Sequence, residues 1–210
     1  MEKKCSLKEK VYNDILDGIV QGEYKGGQIL NEQELVKKYN ISKSPVREAL
    51  MILSSEGILR NIPRFGYEVL NFTMDIVDNI LEFRSVLEKY AMRKSFGKLT
   101  ARDYELLRRM ADSCPDGGCG VWEHWDINMR FHLRLTAYVD NQYIYDQLER
   151  SMHFLKLAYA QFYWSQWNTA SIPNDQKNHW LILDALEVGD LDSALRYLED
   201  DLADFCISSK

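Results

Sequence analysis

Disulfides, membrane spans and a surplus of positive charge are all missing from this sequence. The four cysteines, Cys5, Cys114, Cys119 and Cys206, are scattered through 210 residues. Only Cys114 and Cys119 stand close together, flanking PDGG, and the set reads as reduced thiols rather than a disulfide frame. No apolar run follows the charged start MEKKCSLKEK, and no stretch approaches the roughly 18 consecutive apolar residues that a membrane span needs. The expectation is a soluble, cytoplasmic chain with no membrane partner. A separate nucleophile motif, a glycine-rich phosphate loop and an evident general-base pair are missing too, which leaves little ground for an enzyme. What is present is a hydrophobic share of 46%, that of an ordinary globular protein, in a length that suits one large domain or two small ones.

The net charge of −6 argues at first against a nucleic-acid partner, yet its distribution matters more than its sum. Residues 1–72 carry 11 Lys plus Arg against 10 Asp plus Glu, leaving about −7 for the remainder. Within residues 36–64 the bases Lys37, Lys38, Lys43, Arg47, Arg60 and Arg64 are opposed only by Glu48 and Glu56, which makes a local basic surface.

That surface lies on a helical pattern. Leu7, Val11, Ile15, Leu16 and Ile19 recur at steps of three and four, which predicts a helix ending near Gly22. After the turn EYKGGQI, Asn31 is placed to cap a short second helix, with Glu34 three residues on as in a capping box. Leu35, Val36 and Tyr39 are its expected buried positions. A third helix starts a few residues later, with Ser42 as cap and Val46, Ala49, Leu50 and Leu53 as its apolar stripe. Pro45 then falls in the first turn, where its missing N–H has no intrahelical partner and its fixed φ suits the helix. The opposite face shows Lys43, Ser44 and Arg47 around the helix N-terminus, whose free N–H groups and positive dipole end favour a phosphate.

Two helices joined by a four-residue turn, the second carrying bases and hydroxyls at its start, follow the helix-turn-helix logic of major-groove reading. Residues 58–61 and 67–70 read as short strands around IPRFG, a hairpin whose tip carries Arg64 and Gly66. Such a wing can lie along the DNA backbone or reach the minor groove. A protein-binding winged helix has the same outline, and any one of these bases alone is more often solvated surface. Their coincidence on one side of the unit favours DNA.

Residues 7–69 resemble the N-terminal domain of the GntR family of bacterial transcription regulators. The resemblance rests on the Gly22 and Gly27 turn, the Leu30, Glu34 and Leu35 spacing, the run ISKSPVREAL, the EGIL step and the wing glycine Gly66. It implies DNA contacts at Gln33, Lys43, Ser44, Arg47, Arg64 and Gly66, with Pro45 counted among the residues of the reading helix. The family more often has arginine where this chain has Gln33 and Lys43. A compact lysine charge and a glutamine able to pair with adenine imply a different operator preference.

Residues 73–210 show no strand alternation and divide into about six helical stretches, near 73–96, 100–112, 120–138, 141–165, 174–188 and 190–207. Breaks fall at SCPDGG, DN, TASIPN and GD. The fold class is therefore mainly α: a winged helix-turn-helix over residues 1–72, followed by an all-α helical-bundle effector domain of about six helices over residues 73–210. This second half resembles the FCD domain of the FadR-type branch of the same family, and six helices rather than seven match its smaller subgroup. The carrying residues are RSVLE (84–88), NMRFH (128–132), Asn141, HWLILDAL (179–186) and GDLDSALRYLEDDL.

In that domain a divalent metal is commonly held by an Asp, a His four residues later and two His from later helices. The matching positions here are Asn128, His132, His179 and Asp201. The i, i+4 spacing puts Asn128 and His132 on one helix face, and the helices of His179 and Asp201 close the bundle around them. An amide replaces the carboxylate and a carboxylate replaces a histidine. The set gains oxygen and loses nitrogen, which implies weaker zinc affinity and room for manganese or nickel. Asp126, two residues from Asn128, points elsewhere on a regular helix. The alternative is that His132 and His179 are hydrogen-bonded core residues with no metal.

The resemblance further implies a small organic acid as effector, a preference that a metal with an open position or a cationic side chain explains. Arg84 is the first candidate contact, followed by Arg134 and Trp180; Arg84 can equally pair with Glu88 or tie two domains together. The aromatic run AYAQFYWSQW supplies Tyr159, Phe162, Tyr163, Trp164 and Trp167, more than one helix face hides, as core, pocket or dimer surface. The function expected is that of a homodimeric repressor or activator on a double-stranded operator, whose effector favours one arrangement of the two winged helices. The alternative is a metal-dependent lyase or hydrolase fused to a DNA-binding module, which the His/Asp constellation permits.

Overall fold

The computed structural model describes residues 6–112, 121–167 and 176–203. All four cysteines, the breaks at SCPDGG and TASIPN, and the side chains of Tyr163, Trp164 and Trp167 lie outside that description. The chain divides into two compact units, Met1–Thr73 with Lys156–Trp164, and Met74–Leu155 with Ser165–Lys210.

The first unit runs α1 (Leu7–Val20), β1 (Ile29–Leu30), α2 (Glu32–Tyr39), α3 (Lys43–Ser55), β2 (Leu59–Ile62) and β3 (Gly66–Val69). A capping box between Ser6 and Glu9 starts α1. Its Val11, Ile15 and Ile19 are fully buried, as are Val46, Ala49, Leu50 and Leu53 of α3, and the two helices pack together. Of the α1 stripe read from the sequence, Leu16 is half-buried and Leu7, in the first turn, is exposed. Between them α2 is short. Asn31 caps it by accepting from the Gln33 N–H at 2.8 Å, whereas the return bond expected from Glu34 is not among the described hydrogen bonds. Only Leu35 of α2 is buried; Val36 and Tyr39 are half-buried, because a two-turn helix lying across its neighbours hides one narrow side. Asn40, in the left-handed region at φ 51°, ends α2 and turns the chain into α3. Ser42 occupies the cap position of α3 without a side-chain cap bond, so Pro45 in the first turn is the main local signal that fixes this start.

The three strands form an antiparallel sheet in the order β1-β3-β2, with Ile29 opposite Glu68 and Leu59 opposite Val69. The wing strands sit one residue inward of the expected turn on each side, over 59–62 and 66–69. The two-residue β1 is too short to alternate and so leaves no pattern to read. Gly66 sits at φ 137°, and a Cβ there would press on the Leu30 carbonyl oxygen. Glycine is therefore required where β3 pairs with β1.

After the first unit's strands come α4 (Met74–Ser95), α5 (Ala101–Ala111), α6 (Val121–Ala137), α7 (Gln142–Trp167), α8 (Gln176–Glu187) and α9 (Leu191–Ala203), all in the second unit except residues 156–164 of α7, which belong to the first. These are the six expected helices, within a few residues at each end. Met92, Leu107, Phe131, Ile182, Leu183 and Leu198 bring α4, α5, α6, α8 and α9 to one core. No helix among the described residues is long and apolar enough to cross a membrane.

Gly66→Ala should lower the stability of the first unit by roughly 1–3 kcal/mol, the usual cost of a non-glycine residue held in such a conformation. Chemical denaturation followed by circular dichroism checks it. An unchanged transition would mean that β1 is free to move away from β3.

Candidate functional site

Two sites emerge, one in each unit. In the first, Gln33, Lys43, Arg47, Arg64 and Gly66 line one groove of 410 Å³ together with Asn31, Glu32 and Tyr67. The starts of α2 and α3 meet the wing there. Lys43, Ser44, Arg47 and Arg64 are exposed and Pro45 is half-buried, so the helix is anchored by its apolar stripe and presents its charged side. Ser44 donates to Glu48 at 3.0 Å. At the wing tip Arg64 takes a left-handed conformation, φ 73°, and Phe65 beside it is exposed. The basic surface is less free than the charge count suggested. Glu32, outside the window counted, pairs with Lys43 at 3.0 Å and lies 3.6 Å from Arg47 Nε, and Arg60 pairs with Glu68 across the hairpin.

In the second unit the structure brings together Asn128 and His132 of α6, His179 of α8 and Asp201 of α9. All four are buried. His132 Nε2 stands 3.0 Å from Asp201 Oδ2 and 3.3 Å from His179 Nε2. His179 Nε2 is 3.4 Å from Asp201 Oδ1 and 3.3 Å from Asn128 Nδ2. A half-turn of that amide exchanges its nitrogen and oxygen and presents an oxygen to the same point. Among the described residues neither oxygen of Asp201 has a hydrogen bond, although both are sealed from water. Asp126 is not part of the cluster.

These distances have a chemical meaning. Donor atoms placed about 2.0–2.2 Å from one ion stand about 2.8–3.1 Å apart when adjacent in an octahedral shell and about 3.3–3.6 Å apart in a tetrahedral one. The three contacts among His132, His179 and Asp201, 3.0 to 3.4 Å, span those spacings, and a carboxylate buried without hydrogen bonds is a group in want of a cation. The donor set, two imidazoles, a carboxylate and an amide, fits a borderline divalent metal.

Behind the cluster lies Glu88 of α4. Its Oε2 is 2.6 Å from His132 Nδ1, and its Oε1 accepts from Arg84 Nε at 3.0 Å. That contact keeps a proton on Nδ1 and aims Nε2 at Asp201 and His179, the arrangement by which a carboxylate orients a metal-binding imidazole. Phe131 stacks on the His179 ring at 4.0 Å and holds its plane. Burial pushes the Glu88 pKa up, but the His132 and Arg84 charges outweigh it and hold the carboxyl well below its usual range. Burial likewise disfavours a charged His132, yet Glu88 and Asp201 on either side draw the imidazole upward. A positive charge among these carboxylates is favoured, whether a proton or a metal ion supplies it.

The three expected effector contacts are not brought together. Arg84 is buried against Glu88, with its Nη2 lacking a hydrogen bond among the described residues. Arg134, two positions past His132, is turned away from the cluster. Its guanidinium covers the Tyr138 ring at 4.9 Å, and it lines a shallow cleft with Arg102, Asp103 and Arg109. Trp180, one position past His179, donates to Asp112 at 2.9 Å and lies under Arg108. On an α-helix, steps of one or two residues rotate a side chain by roughly 100° or 200°, which is why neither neighbour of the histidines faces inward.

Sequence comparison identifies both units. Residues 7–69 match the profile of bacterial regulatory proteins of the gntR family, and residues 79–204 match the FCD domain. The chain belongs to the GntR family. It is a transcriptional regulator carrying an FCD effector domain. The HTH-type transcriptional regulator YdhC of Bacillus subtilis (strain 168) is 27% identical over 163 residues, 75% of this chain and 73% of that protein. The gluconate operon transcriptional repressor of the same organism is 35% identical over 149 residues, 67% of this chain and 58% of the repressor. Among solved structures, E. coli McbR/YncC shares the fold, with a TM-score of 0.71 at 22% identity over 95% of this chain and 94% of that one.

For this GntR-family chain, sequence reasoning missed two acids. Glu88 was visible only as a local partner of Arg84, since its link to His132 spans 44 residues. Glu32 was hidden by counting charge along the chain rather than across the α2–α3 turn. Glu88→Ala would leave the buried guanidinium of Arg84 without its counter-charge and should destabilise the helical unit by about 3–5 kcal/mol. Urea denaturation measures it; a loss below about 1 kcal/mol would show that Arg84 and His132 do not depend on Glu88.

Proposed function

We propose that this chain is a metal-dependent, ligand-responsive repressor that grips operator DNA as a homodimer. The observation that carries the reading is the buried meeting of His132, His179 and Asp201, with the Asp201 oxygens 3.0 and 3.4 Å from the two imidazoles and without hydrogen bonds among the described residues. Those three residues, with Asn128 as a fourth donor, would hold one divalent ion, with zinc, manganese and nickel all compatible with the donor set. When bound, the ion supplies a Lewis-acidic position for the carboxylate of a small organic acid. Glu88 keeps the His132 ring oriented. Arg84, whose Nη2 has no hydrogen bond among the described residues, is the cationic group nearest in the chain of contacts through Glu88 and His132.

At the other unit, Lys43, Ser44 and Arg47 enter the major groove with Gln33, Pro45 fixes the helix start, and Arg64 and Gly66 carry the wing along the adjacent backbone. The groove that Gln33, Lys43, Arg47, Arg64 and Gly66 share supports that assignment. Repression is supported by the similar gluconate operon repressor, whose name states that sign. The homodimer is supported by α4, where Phe83, Val86 and Tyr90 form an exposed apolar stripe. Spaced at i, i+3 and i+7, they can meet the same stripe of a second copy about a two-fold axis, and two copies match the two half-sites of an operator.

The test uses untagged protein purified without chelator, and the duplex that it enriches from a random pool. The parent should hold about one equivalent of transition metal and the His132→Ala/His179→Ala variant none, with small carboxylates shifting DNA affinity in the parent alone. A parent that stays free of metal after zinc or manganese is offered contradicts the reading. Arg47→Ala should weaken binding to the enriched duplex at least about tenfold while leaving helical content intact.

The dimer surface has its own test. Val86→Glu with Tyr90→Lys should halve the mass in light scattering; an unchanged dimer would move the interface elsewhere.

A further inference from the structure

The acid nearest the recognition groove is Glu32, the first residue of α2. Its carboxylate reaches across to α3, with Oε2 3.0 Å from Lys43 Nζ and Oε1 3.6 Å from Arg47 Nε. The Glu32 side chain is mostly shielded while both cations stand out in solvent. All three line the groove with Gln33, Arg64 and Gly66. The N-terminal end of α2 favours a carboxylate in this place, and Asn31 caps that end with a 2.8 Å bond to the Gln33 N–H.

For a surface that only attracts phosphates, this carboxylate is misplaced. It cancels part of the field of Lys43 and Arg47, and either cation must leave an ion pair to reach a phosphate, with Glu32 repelling that phosphate as it comes. For reading a base the effect is reversed. Arg47 faces Glu32 through Nε, which leaves its two terminal nitrogens as an end-on fork, and such a fork can pair with the O6 and N7 atoms of guanine. Exposed ion pairs of this kind contribute little to folding, so stability alone does not account for the placement.

We propose that Glu32 is a positioning residue for sequence discrimination: it holds Arg47 for end-on contact with a guanine and penalises binding through phosphates alone. The proposal rests on the DNA reading given above. It predicts a protein whose preference for its own site owes as much to weakened non-specific binding as to strong specific binding.

The experiment compares the full chain with Glu32→Gln and Glu32→Asp on two probes across a salt series: the duplex enriched by the parent, and a random-sequence duplex of the same length. Glu32→Gln should bind the random duplex about three- to tenfold more tightly, with a salt dependence steeper by up to about one unit of slope. It should bind the enriched duplex no better than the parent does, so the ratio between the probes falls. Glu32→Asp, which keeps the charge, should retain most of that ratio. An unchanged ratio and slope in Glu32→Gln overturns the proposal, as does equal weakening on both probes, which marks a folding effect. A clear consensus from the parent, combined with an unchanged ratio in Glu32→Gln, removes this proposal alone. A parent that enriches no sequence removes the DNA reading and this proposal with it.

Discussion

A buried run of charge organises the helical unit. Arg84, Glu88, His132 and Asp201 follow one another from α4 through α6 to α9, each no more than 4% exposed. Ions taken from water into such an interior are costly unless each meets its partner with good geometry. The run therefore constrains more than its own side chains: α4, α6 and α9 must keep the register that brings Glu88 to one edge of the His132 ring and Asp201 to the other. His179 on α8 joins through its contacts with Asp201 and Phe131. The run ends at Asp201, a carboxylate whose ion-pair partners among the described residues are the imidazoles of His132 and His179. A cation at that end is the simplest completion of the electrostatics.

The DNA-facing unit treats charge in the opposite way. Its core is a plain apolar contact between α1 and α3, and its charged residues stand in solvent, where pairing contributes little to stability and much to recognition. Glu32 serves the second purpose. Gly66 serves neither; it is required by the backbone, because a side chain would strike β1. A glycine expected to touch DNA is thus already explained by the sheet, whatever it does on the operator.

How much of this was legible depends on how far each signal reaches along the chain. The stripes of α1 and α3, the proline in the first turn of α3 and the helices α4 to α9 are local patterns that periodicity predicts, and the breaks at DN and GD fall where punctuation places them. β1 carries no such pattern in two residues. Asn128 and His132 share a face by simple spacing, and His179 and Asp201 were found by resemblance to the FCD domain. Glu88 was read only as a partner of Arg84 on its own helix and Glu32 not at all, because His132, Lys43 and Arg47 lie on other elements. Arg134 and Trp180, candidate effector contacts by the sequence, stand on other faces of α6 and α8 than His132 and His179, because one or two residues along a helix turn a side chain away from its neighbour.

The most direct test of a cation completing the buried run is an X-ray absorption spectrum of protein purified without chelator and loaded with zinc. The account predicts a shell of nitrogen and oxygen donors at about 2.0–2.2 Å, imidazole included, and no sulfur. A shell of thiolate sulfur near about 2.3 Å would assign the metal to the cysteines instead, and protein that retains no zinc would leave Asp201 to be balanced by a proton on His132; either result contradicts the account.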